Sequence, residues 1–195
     1  MQIQNDYIGD DKFTKLLEHY KCPAPLSLIR MRFAGAMCSP NLNLRPTDVI
    51  ASLWSDGQEP RLQTKEEADL FFKFFMGFWD EIFRQVTNRK FKLPLHKIIT
   101  GNDLVSTCRQ RALDVEDGFL EGFWGGLEDA DLPEDIAEII DSISELVEAY
   151  GYLGNCTFTE KELNALSRTV TETDEMVNRC IDYVIENYAL PRFKK

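Results

Sequence analysis

Three glycines recur at every fourth position within one segment of helical character, at Gly118, Gly122 and Gly126. Residues four apart lie on the same face of an α-helix. Because each glycine costs a helix interior about 1 kcal/mol relative to alanine, a helix that contains three of them needs a compensating contact. Gly125 and Gly126 can end the helix, but Gly118 and Gly122 lie too far inside it. We therefore expect a second backbone to cross the helix at close range. The predicted close-packing residues are Gly118, Gly122, Phe119, Phe123 and Trp124.

Helical spacing with start and stop signals recurs along the rest of the chain, whereas the alternation typical of strands is nearly absent. The segment Thr64-Lys65-Glu66-Glu67 is a capping box, which predicts a helix start. The helix that follows carries aromatic rings on nearly every side over residues 68–86, and we expect it to be buried all round. Further helices are predicted for residues 12–20, 26–37, 46–54, 102–126 and 134–150, from residue 159 onward, and for 173–188.

These elements predict an all-α fold, a compact bundle of seven or eight helices around the buried aromatic helix. The 13 phenylalanines, 6 tyrosines and 3 tryptophans exclude a disordered chain, and ordinary numbers of glycine and proline exclude collagen-like and low-complexity classes. The length of 195 residues predicts one helical domain over residues 1–195, with a division into helical halves, 1–100 and 101–195, as the alternative.

The net charge of −11 originates in one block of the sequence. Residues 112–160 contain 14 acidic residues and neither lysine nor arginine, whereas the rest of the chain contains 19 acidic and 22 basic residues. Just upstream, residues 82–111 contain seven basic residues and one acidic residue. The two blocks can pair within or between subunits, or the acidic block can receive a basic partner. The alternative is a solvated surface that only keeps the protein soluble.

The helix predicted after Pro133 carries two rows of side chains about half a turn apart. Its apolar row predicts the core-facing stripe and consists of Ile136, Ile140, Ile143, Val147 and Tyr150. Its acidic row predicts the partner-binding face and consists of Glu134, Glu138, Asp141, Glu145 and Glu148. Exposed ion pairs contribute only ~0–1 kcal/mol each, so stability alone does not account for so continuous a row of carboxylates.

The sequence contains no motif for catalysis or metal binding. Its five cysteines lie tens of residues apart without a Cys-x-x-Cys pair, and its two histidines stand alone. The acidic residues around 128–134 lack the glycine and the spacing of an EF-hand loop. Neither a phosphate-binding glycine loop nor a nucleophile elbow is found. We expect no catalytic residue, no metal ion and no cofactor.

The start of the chain lacks the basic and apolar parts of a secretory signal, and the longest apolar run, residues 74–79, is far shorter than a membrane span. We therefore expect a cytoplasmic protein without a membrane partner. The acidic total argues against nucleic acid as a partner, because nucleic-acid binding requires positive potential.

Several short motifs follow one another in a recognisable order. They are Pro25-Leu26-Ser27, Phe33-Ala34-Gly35-Ala36-Met37, Ser39-Pro40, Pro46, Leu53-Trp54, the capping box at 64–67 and Asp117-Gly118-Phe119-Leu120-Glu121-Gly122-Phe123. In order and spacing this succession, over residues 25–150, resembles the YecA/YgfB-like family of uncharacterised bacterial proteins. The resemblance implies an all-α cytosolic protein, dimeric as one expectation, without an assigned reaction or catalytic residues.

Two departures from that family limit what the resemblance implies. Val49-Ile50-Ala51 stands where many members have a Trp-Leu-Pro-like stretch. The cysteine-rich metal-binding tail of some members has no counterpart in the last residues of this chain, so no zinc is expected.

The prediction is a non-enzymatic protein-interaction or regulatory module of the bacterial cytoplasm, whose acidic helix face binds a basic protein partner. A small-molecule-binding protein or enzyme is the alternative; it would use an aromatic cleft between the helices that carry Trp79 and Trp124, each within a Gly-Phe-Trp tripeptide. Nucleic-acid contact through the basic segment 84–97 is the third hypothesis. A homodimer is a further expectation.

Overall fold

The computed structural model describes residues 7–54, 58–94 and 102–193. Its α-helices are α1 (Asp10–His19), α2 (Leu26–Cys38), α3 (Pro46–Ala51), α4 (Lys65–Thr87), α5 (Asn102–Leu113), α6 (Glu121–Trp124), α7 (Glu134–Asn155), α8 (Glu160–Val184) and α9 (Leu190–Phe193). A first π segment, Asp114–Leu120, joins α5 to α6 without a break, and a second, Ile185–Ala189, joins α8 to α9. The described part of the chain thus has seven continuous helices and no strand, which confirms the predicted all-α fold.

Local sequence signals determine where α3 and α4 begin. Pro46 occupies the first position of α3, where its missing N–H leaves no helical hydrogen bond unmade. The Thr64 hydroxyl accepts a hydrogen bond from the Glu67 N–H at 3.1 Å, so α4 begins at the predicted cap. The Glu67 carboxylate accepts from the N–H of Gln63 at 2.7 Å, one residue before the expected donor.

Helix α2 lies between α4 on one side and the first π segment with α6 on the other. On the α4 side, the ring of Phe33 packs against Trp79 with a centroid distance of 5.0 Å. On the opposite side, Gly35 faces the backbone of Phe119. The buried apolar residues form one cluster that extends from Phe13 to Ala189. The small residue Gly35 allows the first π segment to approach α2 closely, whereas large aromatic rings fill the contact with α4.

Helix α4 supplies the aromatic part of the core from one face. Its buried apolar side chains are Phe71, Phe75, Phe78, Ile82 and Val86. Phe72 and Phe83, in contrast, are each 39% exposed. The expectation that this helix is buried all round is therefore wrong, because other helices pack on only part of its circumference and its remaining rings line the edge of the bundle.

Helix ends differ from the prediction in three places. The two helices predicted after residue 159 form one helix, α8, and within it the Thr173 hydroxyl donates a hydrogen bond to the Thr169 carbonyl at 2.9 Å. Helix α7 continues past Gly151 to Asn155. Pro191 lies within α9, directly after the second π segment, whose wider turn accommodates a residue that has no N–H to donate.

Candidate functional site

The glycine face of the first π segment and α6 packs directly on the backbone of α2. A Cβ atom added to Gly122 would lie 2.2 Å from the carbonyl oxygen of Arg32, and one added to Gly118 would lie 2.7 Å from the Cβ of Met31. Real Cβ atoms do not approach other atoms so closely, so both positions require glycine at this helix separation. Helix α2 is thus the backbone that crosses here.

A third glycine, Gly35 of α2, belongs to the same crossing. A Cβ atom added to Gly35 would lie 2.1 Å from the carbonyl oxygen of Phe119. The prediction from sequence did not include this residue, although it lies in the run of small residues Ala34-Gly35-Ala36, which is the signal that could have identified it. Both helices therefore contribute glycine to the contact.

The three aromatic residues predicted beside the crossing differ in burial. Phe119 and Phe123 are fully buried, with ring centroids 6.5 Å apart. Trp124 is half-buried and packs edge-on against Phe123 at 5.5 Å. Gly125 follows in the left-handed conformation and ends α6. These rings are part of the packed core rather than of an open surface.

Arg32 connects the crossing to the end of α3. Its Nε donates to the Asp117 carbonyl at 2.9 Å, and its Nη1 donates to the Ser52 carbonyl at 3.0 Å. Burial lowers the pKa of the Arg32 guanidinium, and the nearby carboxylates of Glu121 and Asp117 oppose that shift. Two cavities of about 210 and 360 Å³ are both lined by Arg32, but most of its donors already bind backbone oxygens. The geometry is that of a clamp between three helical elements.

The acidic row of α7 is exposed along its whole length, whereas the apolar row is buried. Within residues 7–54, 58–94 and 102–193, none of its five carboxylates, Glu134, Glu138, Asp141, Glu145 and Glu148, lies in an ion pair. The neighbouring Asp135 accepts a hydrogen bond from the Tyr183 hydroxyl of α8 at 2.8 Å. Helix α7 is thereby held between the core and α8 while its carboxylates face solvent.

The basic segment upstream directs its charges away from that row. Arg84 pairs with Glu81 at 2.8 Å, and Arg89 pairs with Glu186 at 3.3 Å. Lys92 pairs with Asp182 of α8. Lys97 lies outside the described residues. The paired cations of this segment therefore use carboxylates of α4 and of the C-terminal helix, and the α7 carboxylates are left to solvent.

One buried ion pair links α5 to α8. The Arg111 side chain is 1% exposed and forms two bonds with the Asp174 carboxylate, at 2.9 Å from Nε and 2.7 Å from Nη2. Arg111 also donates to the carbonyl oxygen of Pro94. The Tyr150 hydroxyl donates to Asp174 at 2.5 Å. Burial, reinforced by that bond, raises the pKa of Tyr150 well above its usual value. The prediction from sequence missed this network.

The predicted aromatic cleft between the Gly-Phe-Trp helices is occupied by α2, which lies between them. Trp79 packs on Phe33 of α2, and Trp124 packs on Phe123 on the other side of that helix. Among the described residues, no group of three or more histidines, cysteines or carboxylates is placed to hold a metal ion. No described helix has both the length and the apolarity that crossing a membrane requires.

Comparison with protein-family models, with curated proteins and with solved structures finds no match to this chain.

Proposed function

We propose that this protein is a non-enzymatic interaction module that binds a basic protein partner through the acidic row of α7. The observation that carries the proposal is the separation of charge in the fold. The five carboxylates of the row are exposed without an ion pair among the described residues, while Arg84, Arg89 and Lys92 have partners elsewhere. The order of the sequence motifs resembles a family that has no assigned reaction, and this resemblance is consistent with a non-enzymatic role.

The acidic row of α7 is held rigidly, and its charge acts at a distance. The carboxylates of the row recur at intervals of four and three residues, and the opposite side of α7 is buried in the core. The helix therefore presents a fixed array of negative charge. Such an array raises the rate of encounter with a basic partner and disfavours acidic ones, and the effect acts over about 8 Å at physiological ionic strength. Complementary lysines or arginines at helical spacing in the partner would contact several carboxylates at once.

Nucleic-acid binding has less support from the same geometry. Arg84, Arg89 and Lys92 would have to leave their carboxylate partners before they could contact phosphates. The acidic row would repel the same ligand. The basic segment is better described as the part of the chain that holds the C-terminal helix against α4.

The test is affinity capture from the native host, followed by mass spectrometry, with a triple variant Glu138→Lys, Asp141→Lys and Glu145→Lys. A matched control changes three exposed acids outside α7 to lysine, namely Glu18, Glu59 and Glu175, none of which is in an ion pair among the described residues. Both variants change the net charge equally, so only the location differs. We expect a partner with a basic surface to be lost from the α7 variant and retained by the control. Equal recovery with the two variants would contradict the proposal.

A further inference from the structure

Helix α4 carries a row of large apolar side chains at the edge of the bundle. Phe72, Met76, Trp79 and Phe83 follow one another at intervals of four, three and four residues. Phe72 and Phe83 are each 39% exposed, and Met76 and Trp79 are half-buried. Phe193 of α9, 41% exposed, extends the row, since its ring centroid lies 5.4 Å from that of Phe83.

This spacing is that of a helix which packs along another helix. Intervals of four and three residues keep a row on one side over several turns, as in the seam of a coiled coil. The row is distinct from the core face of α4, which is formed by Phe71, Phe75, Phe78, Ile82 and Val86. A continuous row of partly exposed large apolar side chains on a folded protein is typical of an interface.

Charged residues beside the row indicate what packs against it. Asp69, Lys73, Asp80 and Arg84 alternate in sign along the solvent side of the row. Read in the reverse direction, the series is complementary to itself: Lys73 meets Asp80, and Asp69 meets Arg84, which also pairs with Glu81 of its own helix. Among the described residues, Lys73 and Asp80 have no ion-pair partner within their own chain.

We propose that the row binds the same row of a second copy of this chain, with the two α4 helices antiparallel. Phe72 then lies opposite the partner's Phe83, and Met76 lies opposite the partner's Trp79. Each Lys73 faces the partner's Asp80, and the pairing occurs twice in the dimer because a two-fold interface repeats every contact. In a parallel arrangement these charges, which all flank one side of the row, would lie on opposite edges of the two-helix contact and could not pair with each other. This inference does not depend on the acidic row of α7, which lies on another helix.

The experiment measures the molar mass and the dimer dissociation constant by sedimentation over a concentration series that extends well above micromolar. Wild type is compared with Lys73→Asp, with Asp80→Lys, with an equimolar mixture of the two, and with the double variant. We expect wild type to dimerise. We expect each single variant to have a dimer dissociation constant at least about tenfold higher. The mixture and the double variant restore opposite charges across the contact, so we expect both to recover the dimer.

Two controls separate the interface from general effects. Lys15→Asp reverses an exposed charge on α1, and Leu70→Gln removes an apolar side chain that is 49% exposed on α4 but lies outside the row. Both should dimerise like wild type, whereas Phe72→Gln with Phe83→Gln should not, and circular dichroism checks that each variant is folded. A monomeric wild type over the whole series, unchanged dissociation constants in the single variants, or a mixture that fails to recover the dimer would each overturn the proposal.

Discussion

Gly122 lies so close to the carbonyl oxygen of Arg32 that a Cβ atom at this position would be 2.2 Å from it. Gly35 stands in the corresponding relationship to Phe119, at 2.1 Å, so each helix provides glycine where the other provides a backbone carbonyl. The close contact between the two backbones offsets the cost of placing glycine inside helices. The separation of α2 from the π segment and α6 is thereby fixed by the backbone itself.

Gly122→Ala should lower the free energy of unfolding by about 2–3 kcal/mol, because the methyl group can be accommodated only if the helices move apart. Gly151→Ala is the matched control: it lies inside α7 with open space around its Cβ position, so alanine should stabilise the protein by up to ~1 kcal/mol. Urea unfolding monitored by circular dichroism measures both. A Gly122→Ala variant as stable as wild type would show that the two helices can move apart at little cost in free energy.

Asp174→Asn should destabilise the protein by about 3–5 kcal/mol, since it leaves the guanidinium of Arg111 buried without its countercharge. The control is the exposed pair of Arg168 and Glu172 on the same helix, where Glu172→Gln should change stability by less than about 0.5 kcal/mol. Both variants replace a carboxylate with an amide of the same shape. Similar effects at the two sites would mean that burial of the Arg111 pair contributes little.

The fully buried thiol of Cys38 should make stability fall at alkaline pH. Burial raises the pKa of Cys38 to about 12, whereas an unfolded thiol titrates near 8.5 to 9. A pKa raised in the folded state contributes stability that is complete below the unfolded pKa and is lost as pH rises above it, at up to ~1.4 kcal/mol per pH unit for each group.

The measurement compares wild type with Cys38→Ala in urea unfolding from about pH 8 to about pH 10.5 under reducing conditions. The alanine variant is less stable near pH 8 because of the small cavity, and its deficit should shrink above about pH 9 as the wild-type thiol ceases to favour folding. The other groups that titrate in this range are common to both proteins and cancel in the comparison. A deficit that stays constant with pH would contradict the pKa shift.

The sequence predicts those features that depend on local periodicity. The apolar row Ile136, Ile140, Ile143, Val147 and Tyr150 is buried as its spacing of four and three residues predicts, and the carboxylates opposite are exposed. Thr64 caps α4 for an equally local reason, since donor and acceptor lie three residues apart. Such features require no knowledge of which helices are neighbours.

Features that depend on distant neighbours were not predictable. Arg111 and Asp174 are 63 positions apart, and nothing in the sequence around Arg111 distinguishes it from the exposed cations of the same basic segment. Burial of α4 on one face only is likewise a property of where α2 lies, because the rings of Phe72 and Phe83 are as apolar as those in the core. Tertiary context decides both.

Arg32→Lys tests whether the clamp at the crossing acts through the shape of the guanidinium. Arginine reaches the Asp117 and Ser52 carbonyls at once through separate nitrogens, whereas a lysine ammonium is a single point that can satisfy only one of them well. The loss of the other charge-assisted bond should cost about 1.5–3 kcal/mol. Arg179→Lys on α8 is the control, since the Arg179 side chain is exposed. Urea unfolding gives the global effect, and amide hydrogen exchange at residues 52–54 reports whether the end of α3 loosens first. If Arg32→Lys and Arg179→Lys cost the same, with unchanged exchange at residues 52–54, the clamp contributes charge rather than geometry.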